Sequence, residues 1–309
     1  MFHTPVLLKE SLEFLNIEKG EKYIDATVGG GGHAVAILER GGSILGLDMD
    51  PEAVEYARET LTAESPETES QVLLVKGNFR NIDQIAKEHG FEKVAGILFD
   101  LGMSSWQLEG SERGFSFMQD GKLDMRMDPS LAVEAKDLLG GLTVNELEKL
   151  FSKYAEEKHA IEFAKAISEA REIRKIKTTQ EFSGLLAWVE QGQPSDFWNW
   201  YETKFKNKPS EFGSYDRRAR FFQALRIAVN DEINNFRESL PRALRILKTS
   251  GRLVIITFHS LERGVVKRFY EKYQTSLVNL TPRGQEPGRE EVEANPKARS
   301  AKLFAYEKK

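Results

Sequence analysis

The stretch Tyr23-Ile24-Asp25-Ala26-Thr27-Val28-Gly29-Gly30-Gly31-Gly32-His33-Ala34 decides how the rest of this chain is read. An apolar, partly β-branched run ends in an acidic residue and passes into four consecutive glycines. Glycine loses more backbone freedom on folding than any other residue, so packing alone gives no reason for four in a row. A sharp turn that brings backbone N–H groups close to a ligand does give one. A strand, such a turn and then a helix form the ligand-binding corner of an open α/β sheet, and Gly29-x-Gly31-x-x-Ala34 nominally fits the dinucleotide fingerprint.

Outward from that corner, short apolar runs at 23–28, 43–48, 71–76 and 94–100 read as strands with helical segments between them. Asp50-Pro51-Glu52 opens one of those helices, with an N-cap acceptor, a proline in the first turn and an acid at the positive end of the dipole. This rhythm predicts an α/β fold with a doubly wound, mostly parallel sheet. After Asp100 the rhythm breaks. Leu147, Leu150, Phe151, Tyr154, Ile161, Ala164 and Ile167 fall at helical spacing, which predicts a helical insertion over 109–213 inside a domain made of 1–108 and 214–309. Residues 193–213 read as its irregular return. Phe221, Phe222, Leu225, Ala228, Ile233, Phe236 and Leu240 predict one long amphipathic helix, followed by a turn at Ser250-Gly251 and a strand over 252–258. Residues 281–297 read as a loop, and 300–307 as a closing strand.

Composition removes several function classes. With 309 residues, no cysteine and five scattered histidines, the chain offers no disulfide scaffold, thiolate metal site or thiol nucleophile, and no zinc site is expected. No apolar run approaches the roughly 20 residues of a membrane span, and the opening residues lack a basic-then-apolar signal design, so a soluble, cytoplasmic protein without a membrane partner is expected. A formal net charge of -4 argues against non-specific coating of nucleic acid, while Lys204, Lys206, Lys208, Arg217, Arg218, Arg220 and Arg226 still crowd one segment.

In an open α/β sheet the residues just after the strands form the site. Here they are Gly29 to His33, Asp48, Asn78-Phe79 and Asp100-Leu101-Gly102. Asp48 stands roughly 20 residues beyond the glycines, the offset for an acceptor of ribose hydroxyls. Two cofactors share that pattern, NAD and S-adenosylmethionine. Asp25 before the glycines suits a ligand carrying an ammonium and a sulfonium better than a pyrophosphate, and Phe79 offers a flat wall for adenine. Plain turn geometry for the glycines, helix capping for Asp48 and core packing for Phe79 are the competing structural readings.

Beyond this generic corner the chain resembles the ribosomal RNA small subunit methyltransferase H family nearly end to end. The resemblance runs through His3-Thr4-Pro5-Val6-Leu7-Leu8, Asp25 to His33, Asp100-Leu101-Gly102-Met103-Ser104-Ser105 and Arg113-Gly114-Phe115-Ser116-Phe117. It continues through Leu123-Asp124-Met125-Arg126-Met127-Asp128, Phe222-Gln223-Ala224-Leu225-Arg226-Ile227, Phe258-His259-Ser260-Leu261-Glu262 and Asn295 to Leu303. Local departures occur at Trp106, Glu156-Glu157-Lys158 and Arg263-Gly264. The resemblance implies a Rossmann-like class I methyltransferase fold and S-adenosyl-L-methionine as cofactor. It implies cofactor contacts at Gly31, Gly32, His33, Asp48, Phe79, Asp100 and Gln107, and methylation of the N4 amino group of a cytidine in the decoding region of 16S rRNA.

Cytosine N4 is a poor nucleophile because its lone pair is delocalised into the ring, so an acceptor for its proton is required. Asp100 is a candidate acceptor or, alternatively, only a cofactor ligand. His259-Ser260 leaves a later strand on the same edge, and the histidine could be a structural donor or a proton acceptor. The base must be held by a π-face, for which Trp106, Phe115 and Phe117 are candidates against a reading as core. Arg113, Arg126, Arg217 and Arg218 are candidate phosphate contacts, whereas Asp124 and Asp128 are expected to pair with arginines. The substrate partner implied is small-subunit rRNA within a ribosomal subunit or late assembly particle, because so acidic a chain relies on shape and local patches. An NAD-dependent dehydrogenase and a non-catalytic RNA-binding assembly factor are the rival readings.

Overall fold

The structure, a computed structural model, describes residues 5–64, 71–103 and 112–309. It forms two units, Met1–Ser105 with Ile233–Lys309, and Trp106–Glu232.

The first unit is built on seven strands, β1 Lys22–Asp25, β2 Ser43–Asp48, β3 Val72–Lys76, β4 Val94–Asp100, β5 Leu247–Thr257, β6 Leu277–Asn279 and β7 Lys302–Lys308. Their order is β3-β2-β1-β4-β5-β7-β6. The first five run parallel, and β7 lies antiparallel between β5 and β6. A parallel sheet needs cover on both faces, and side chains alternate to supply it. Tyr23, Leu98, Val254 and Ile256 join one core with Leu12 and Leu15 of helix α1 (Leu8–Leu15), Ile37 of α2 (Gly32–Leu38) and Leu61 of α3 (Pro51–Glu64). Ile24, Ile97, Phe99, Leu253 and Ile255 join the other with Ile82 and Ala86 of α4 (Ile82–Glu88), Phe236 and Leu240 of the helix Glu232–Ile246, and Phe269 of the helix Ser260–Tyr273. Strand order reverses between β1 and β4, so the switch point falls at the glycine-rich turn.

The second unit is helical, with Ala135–Gly141, Val144–Tyr154, Ala160–Ile173, Thr179–Glu190, Phe197–Trp200 and Tyr215–Asn230 among its helices. Thr143 with Glu146, and Thr178 with Glu181, start two of them as reciprocal capping boxes. The core is aromatic: Phe221 lies 4.6 Å from both Phe151 and Phe163, ring centre to ring centre. Among the described residues no helix is long and apolar enough to cross a membrane.

Five details differ from the sequence expectation. The long helix over 221–240 is two helices, broken at Asp231, whose φ of 50° is left-handed. Because Phe221 packs on helical-unit phenylalanines and Phe236 on the sheet, the return boundary moves from 214 to 233. β5 begins at Leu247 and runs through Ser250-Gly251, where the register against β4 shifts and Ser250 has φ 62°. The 281–297 segment contains the helix Arg289–Ala294, and 193–213 holds a short helix, a π-turn at Tyr201–Phe205 and packed rings such as Trp200 on Phe212 at 5.3 Å.

One loop of the helical unit is pinned closely. Asn230 donates to the Met125 carbonyl at 2.7 Å and accepts from the Met127 N–H at 2.7 Å, while Met125 N–H donates to the Arg113 carbonyl at 2.8 Å. Gly114 passes Lys122 in this loop with φ 75°.

Candidate active site

Three carboxylates gather at the carboxyl ends of β1, β2 and β4. Asp25 is 1 % exposed, and its Oδ1 accepts from the Thr27 N–H at 3.1 Å. Asp48 accepts from the Gly29 N–H on Oδ2 at 3.1 Å and from the Asp50 N–H on Oδ1 at 2.9 Å. Thr27 ties the first and fourth strands together, its hydroxyl accepting from the Asp100 N–H at 2.7 Å. Burial pushes the Asp25 carboxyl up to about 7, and repulsion from Asp100 and Asp48 adds to the rise. Burial likewise carries Asp100 up to about 7, with the Glu262 carboxylate contributing, and Asp48 to about 6, where Asp50 contributes. Three clustered carboxylates, Asp25 buried and Asp48 and Asp100 half-buried, form a site suited to positive charge.

The glycines shape the wall of that site. Gly29 has φ 48° and Gly31 φ 84°, both left-handed, and the Gly31 N–H closes the turn onto the Val28 carbonyl at 2.7 Å. Gly31 is the N-cap of α2, Gly32 its first residue, and His33 follows buried, its Nδ1 3.9 Å from Oδ2 of Asp100. The first N–H groups of a helix have no partner within it, so this end presents backbone donors. Phe79 sits in the 3-10 turn after β3, half-buried, its ring edge-on to Phe99 at 5.7 Å. On β5, whose Ile256 registers with Asp100, the chain leaves the sheet through Phe258 and reaches His259, the N-cap of the helix Ser260–Tyr273. Ser260 is the exposed first residue of that helix.

A methylase family model, the MraW methylase family, matches residues 1–309. The chain belongs to the MraW methylase family. It is 37% identical over 324 residues to the ribosomal RNA small subunit methyltransferase H of Carboxydothermus hydrogenoformans, covering 99% of this chain and 97% of that protein. It is 39% identical over 326 residues to the protein of the same name from Thermomicrobium roseum, covering 99% and 93%. Among solved structures, an rRNA methylase from Streptococcus thermophilus gives a TM-score of 0.45 at 11% identity, with 100% of this chain and 99% of that one covered. The seven-stranded, mostly parallel sheet of this MraW methylase is the class I methyltransferase fold.

A methylase needs a methyl donor, and the residues present fit S-adenosylmethionine. The carboxylate cluster matches a cationic ligand, and the two left-handed glycines leave backbone donors at its edge. Asp48, although it holds the turn, keeps acceptor capacity for ribose hydroxyls because an ionised carboxylate has about four lone-pair sites. The structure thus brings Gly31, Gly32, His33, Asp48, Phe79, Asp100 and His259 into the same unit of the MraW methylase. Gln107 and Trp106 lie outside the described residues. Asp25 and Thr27 belong with the site, the first read from sequence as a charge preference and the second not read at all; a hydroxyl two residues past a strand-end acid was the available signal.

In the helical unit of the MraW methylase the candidate cations have partners within the fold. Arg126 grips Asp124 through Nε at 2.7 Å and Nη2 at 2.8 Å and donates to the Leu131 carbonyl at 2.7 Å. Asp124 is therefore an arginine partner. Arg113 donates to the Arg126 and Met127 carbonyls at 3.2 and 2.9 Å. Arg217 bridges Glu157 at 3.1 Å and Glu190 at 3.0 Å, so the departure at 156–158 still supplies a buried acid. Arg218 is buried, donates to the Ser183 hydroxyl at 3.1 Å and lies over the Phe117 ring. Each of these guanidiniums thus has at least one partner within the fold. Phe115 is buried, whereas Phe117 keeps partial exposure against Tyr215 at 5.0 Å.

The carboxylate cluster is expected to set the pH dependence of cofactor binding. A cation favours the ionised forms, so binding draws the raised values of Asp25, Asp48 and Asp100 down and releases protons. Affinity for S-adenosylmethionine is expected to rise between pH about 6 and 8, and calorimetry in buffers of different ionisation enthalpy should record net proton release. An affinity that climbs as pH falls would remove the cluster from the binding site. Stability of the ligand-free protein runs the other way. The folded carboxyls hold protons that unfolded ones have shed by pH ~4, so this contribution is complete below that pH and is lost as pH rises through 6 to 7.

Proposed function

We propose that this methylase transfers the methyl group of S-adenosylmethionine to the N4 amino group of a cytidine in the decoding region of 16S rRNA. The observation that carries the reading is the placement of Asp100 and the turn through His259 at the ends of the adjacent parallel strands β4 and β5, with the carboxylate cluster around the glycine turn. The names printed for its relatives support small-subunit rRNA as substrate. The ordered motifs from His3-Thr4-Pro5 to Lys302-Leu303 support the cytidine N4.

The cofactor supplies a methyl carbon already activated towards a nucleophile. What the chain contributes is alignment, exclusion of water and acceptance of hydrogen. The turn from Gly29 to His33 presents backbone donors, Asp25 and Asp48 hold positive charge and ribose hydroxyls, and Phe79 walls the adenine. Asp100 accepts a hydrogen bond from the amino group of the base, which draws the nitrogen lone pair out of conjugation with the ring and makes it available for attack. The helical unit is the substrate-recognition insertion. With its arginines engaged internally and a net charge of -4, the methylase takes a folded ribonucleoprotein, a small ribosomal subunit or late assembly particle, rather than naked RNA.

Tritium transfer from labelled S-adenosylmethionine to small subunits, followed by mapping of the labelled nucleotide, tests the reading. Label on N4 of a single decoding-region cytidine is expected. Binding of NAD instead, or cofactor binding without transfer to any form of the RNA, overturns it.

A further inference from the structure

A patch on the helical unit joins exposed apolar surface to a buried charge. Met118 is 69% exposed and Tyr215 59% exposed, and both stand on firmly held backbone. The loop carrying Met118 is fastened to the start of the helix Thr179–Glu190. There the Thr179 hydroxyl accepts from the Gly121 N–H at 3.0 Å and donates to the Gln119 carbonyl at 2.8 Å, and Asp120 accepts from the Gln180 N–H at 3.2 Å. Tyr215 is the first residue of the helix Tyr215–Asn230, which the Ser214 hydroxyl caps. Phe117 links the two, its ring edge-on to Tyr215 at 5.0 Å and backed by Phe222 at 5.3 Å. Large apolar side chains held outwards together mark an interaction surface.

The buried charge is Arg218, one turn on from Tyr215. It is 8% exposed, and its guanidinium carbon lies 5.3 Å from the centre of the Phe117 ring. Nη1 donates to the Ser183 hydroxyl at 3.1 Å, whereas Nε is shut away from solvent without an acceptor. Among the described residues Arg218 forms no ion pair. Glu190 acts on its charge from a distance but is held by Arg217 at 3.0 Å and by the Ser214 N–H at 2.7 Å. Burial pushes the guanidinium below its ordinary value. A buried cation whose hydrogen-bonding partner is a neutral hydroxyl is costly, and contact with an anion offsets that cost.

An apolar peptide would cover Met118 and Tyr215 and leave Arg218 without an anion, while a free anion would leave the apolar surface bare. A nucleotide outside a duplex supplies both, a flat base for the rings and a phosphate for the guanidinium. We propose that Phe117, Met118, Tyr215 and Arg218 form a nucleotide subsite for the substrate RNA. An unpaired base stacks against Tyr215 and Met118, and its phosphate accepts from Arg218, which Phe117 keeps in place. This assignment rests on the rRNA methyl-transfer reading above. It gives the helical unit a hold on RNA that needs no cofactor.

The test measures binding of small ribosomal subunits without cofactor over a range of salt concentrations, with single-turnover methylation alongside. Tyr215→Ala is expected to weaken subunit binding roughly 5- to 100-fold, the loss of one stacked base. Met118→Ser should act in the same direction and by less, and the dissociation constant for S-adenosylmethionine should stay at its wild-type value in both. Arg218→Gln keeps a donor for Ser183 and should lower the slope of log affinity against log salt by about 1, because one phosphate contact goes with the charge. A purely structural arginine would leave that slope where it is. A benzophenone amino acid in place of Met118 should cross-link to a nucleotide of small-subunit rRNA. Cross-linking to a ribosomal protein alone, wild-type affinity in both surface variants, or an unchanged salt slope in a folded Arg218→Gln protein overturns the proposal. Tyr215 and Met118 are exposed, so the binding and cross-linking results decide even where Arg218→Gln fails to fold. Failure of the methyl-transfer reading shows separately, as a wild-type protein that binds and cross-links to subunits but labels no rRNA.

Discussion

Asp100→Asn is expected to lower methyl transfer to small subunits by about 10²- to 10⁴-fold while leaving S-adenosylmethionine bound. Asparagine keeps an oxygen for the Gly102 N–H, which Asp100 Oδ1 accepts at 3.3 Å, and its own backbone N–H can still donate to Thr27. The turn should therefore survive. On the proposed reading, what disappears is an acceptor able to carry negative charge beside the reacting nitrogen. Tritium incorporation under single-turnover conditions, with calorimetry of cofactor binding alongside, separates the two effects. A folded variant that methylates at the wild-type rate removes Asp100 from proton handling, and one that loses cofactor and methylation together reduces it to a cofactor ligand.

Gly114→Ala is expected to be the most destabilising single-methyl change in the helical unit, by about 2–5 kcal/mol. Two terms add. A left-handed backbone costs a non-glycine residue about 1–2 kcal/mol, and the new Cβ would run into the Lys122 carbonyl oxygen and come within 2.9 Å of the Thr179 methyl. Relief of the second requires shifting a loop that Asn230 and Arg113 hold from both sides, adding about 1–3 kcal/mol of overpacking strain. Gly140→Ala is the matched control. It sits in the helix Ala135–Gly141 with nothing within 4 Å of the added carbon, and should stabilise by about 0.5–1 kcal/mol. Thermal or urea unfolding of the pair should move in opposite directions; equal midpoints would show that the 112–128 loop is not held as the hydrogen bonds describe.

Much of the sheet was legible because its information is local. Apolar runs ending in Asp25, Asp48 and Asp100 gave β1, β2 and β4 and at the same time their functional ends, and Asp50-Pro51 marked the start of α3. The Asp50 carboxylate does accept from the Glu52 N–H, at 3.1 Å. The unit boundary was not legible. The apolar stripe continues through Asp231 unchanged, and only the left-handed backbone there, with Phe221 and Phe236 entering different cores, divides it. Nor could charge counting tell a phosphate-seeking arginine from a structural one: Arg126 and Arg217 look alike in sequence to any exposed cation, and their carboxylate partners are assigned by packing. β6 is too short, at three residues, to show alternation. Glu262 had a readable signature, an acid three residues after a helix N-cap, but that pattern announces only a helix start.

The pairing of β4 with β5 also fixes when this molecule can exist as an enzyme. Asp100 registers with Ile256, yet the whole helical unit is synthesised between them. Closing a flexible loop of that length is slow, whereas helices that contact their sequence neighbours fold quickly. The insertion can therefore compact on the ribosome first, bringing the ends of the open sheet towards each other before β5 has been made. Until β5 emerges, β4 has a bare edge and Asp100 stands alone. A nascent chain cannot complete this edge of the sheet early, because the ends of β4 and β5 arrive on opposite sides of the slowest closure in the fold.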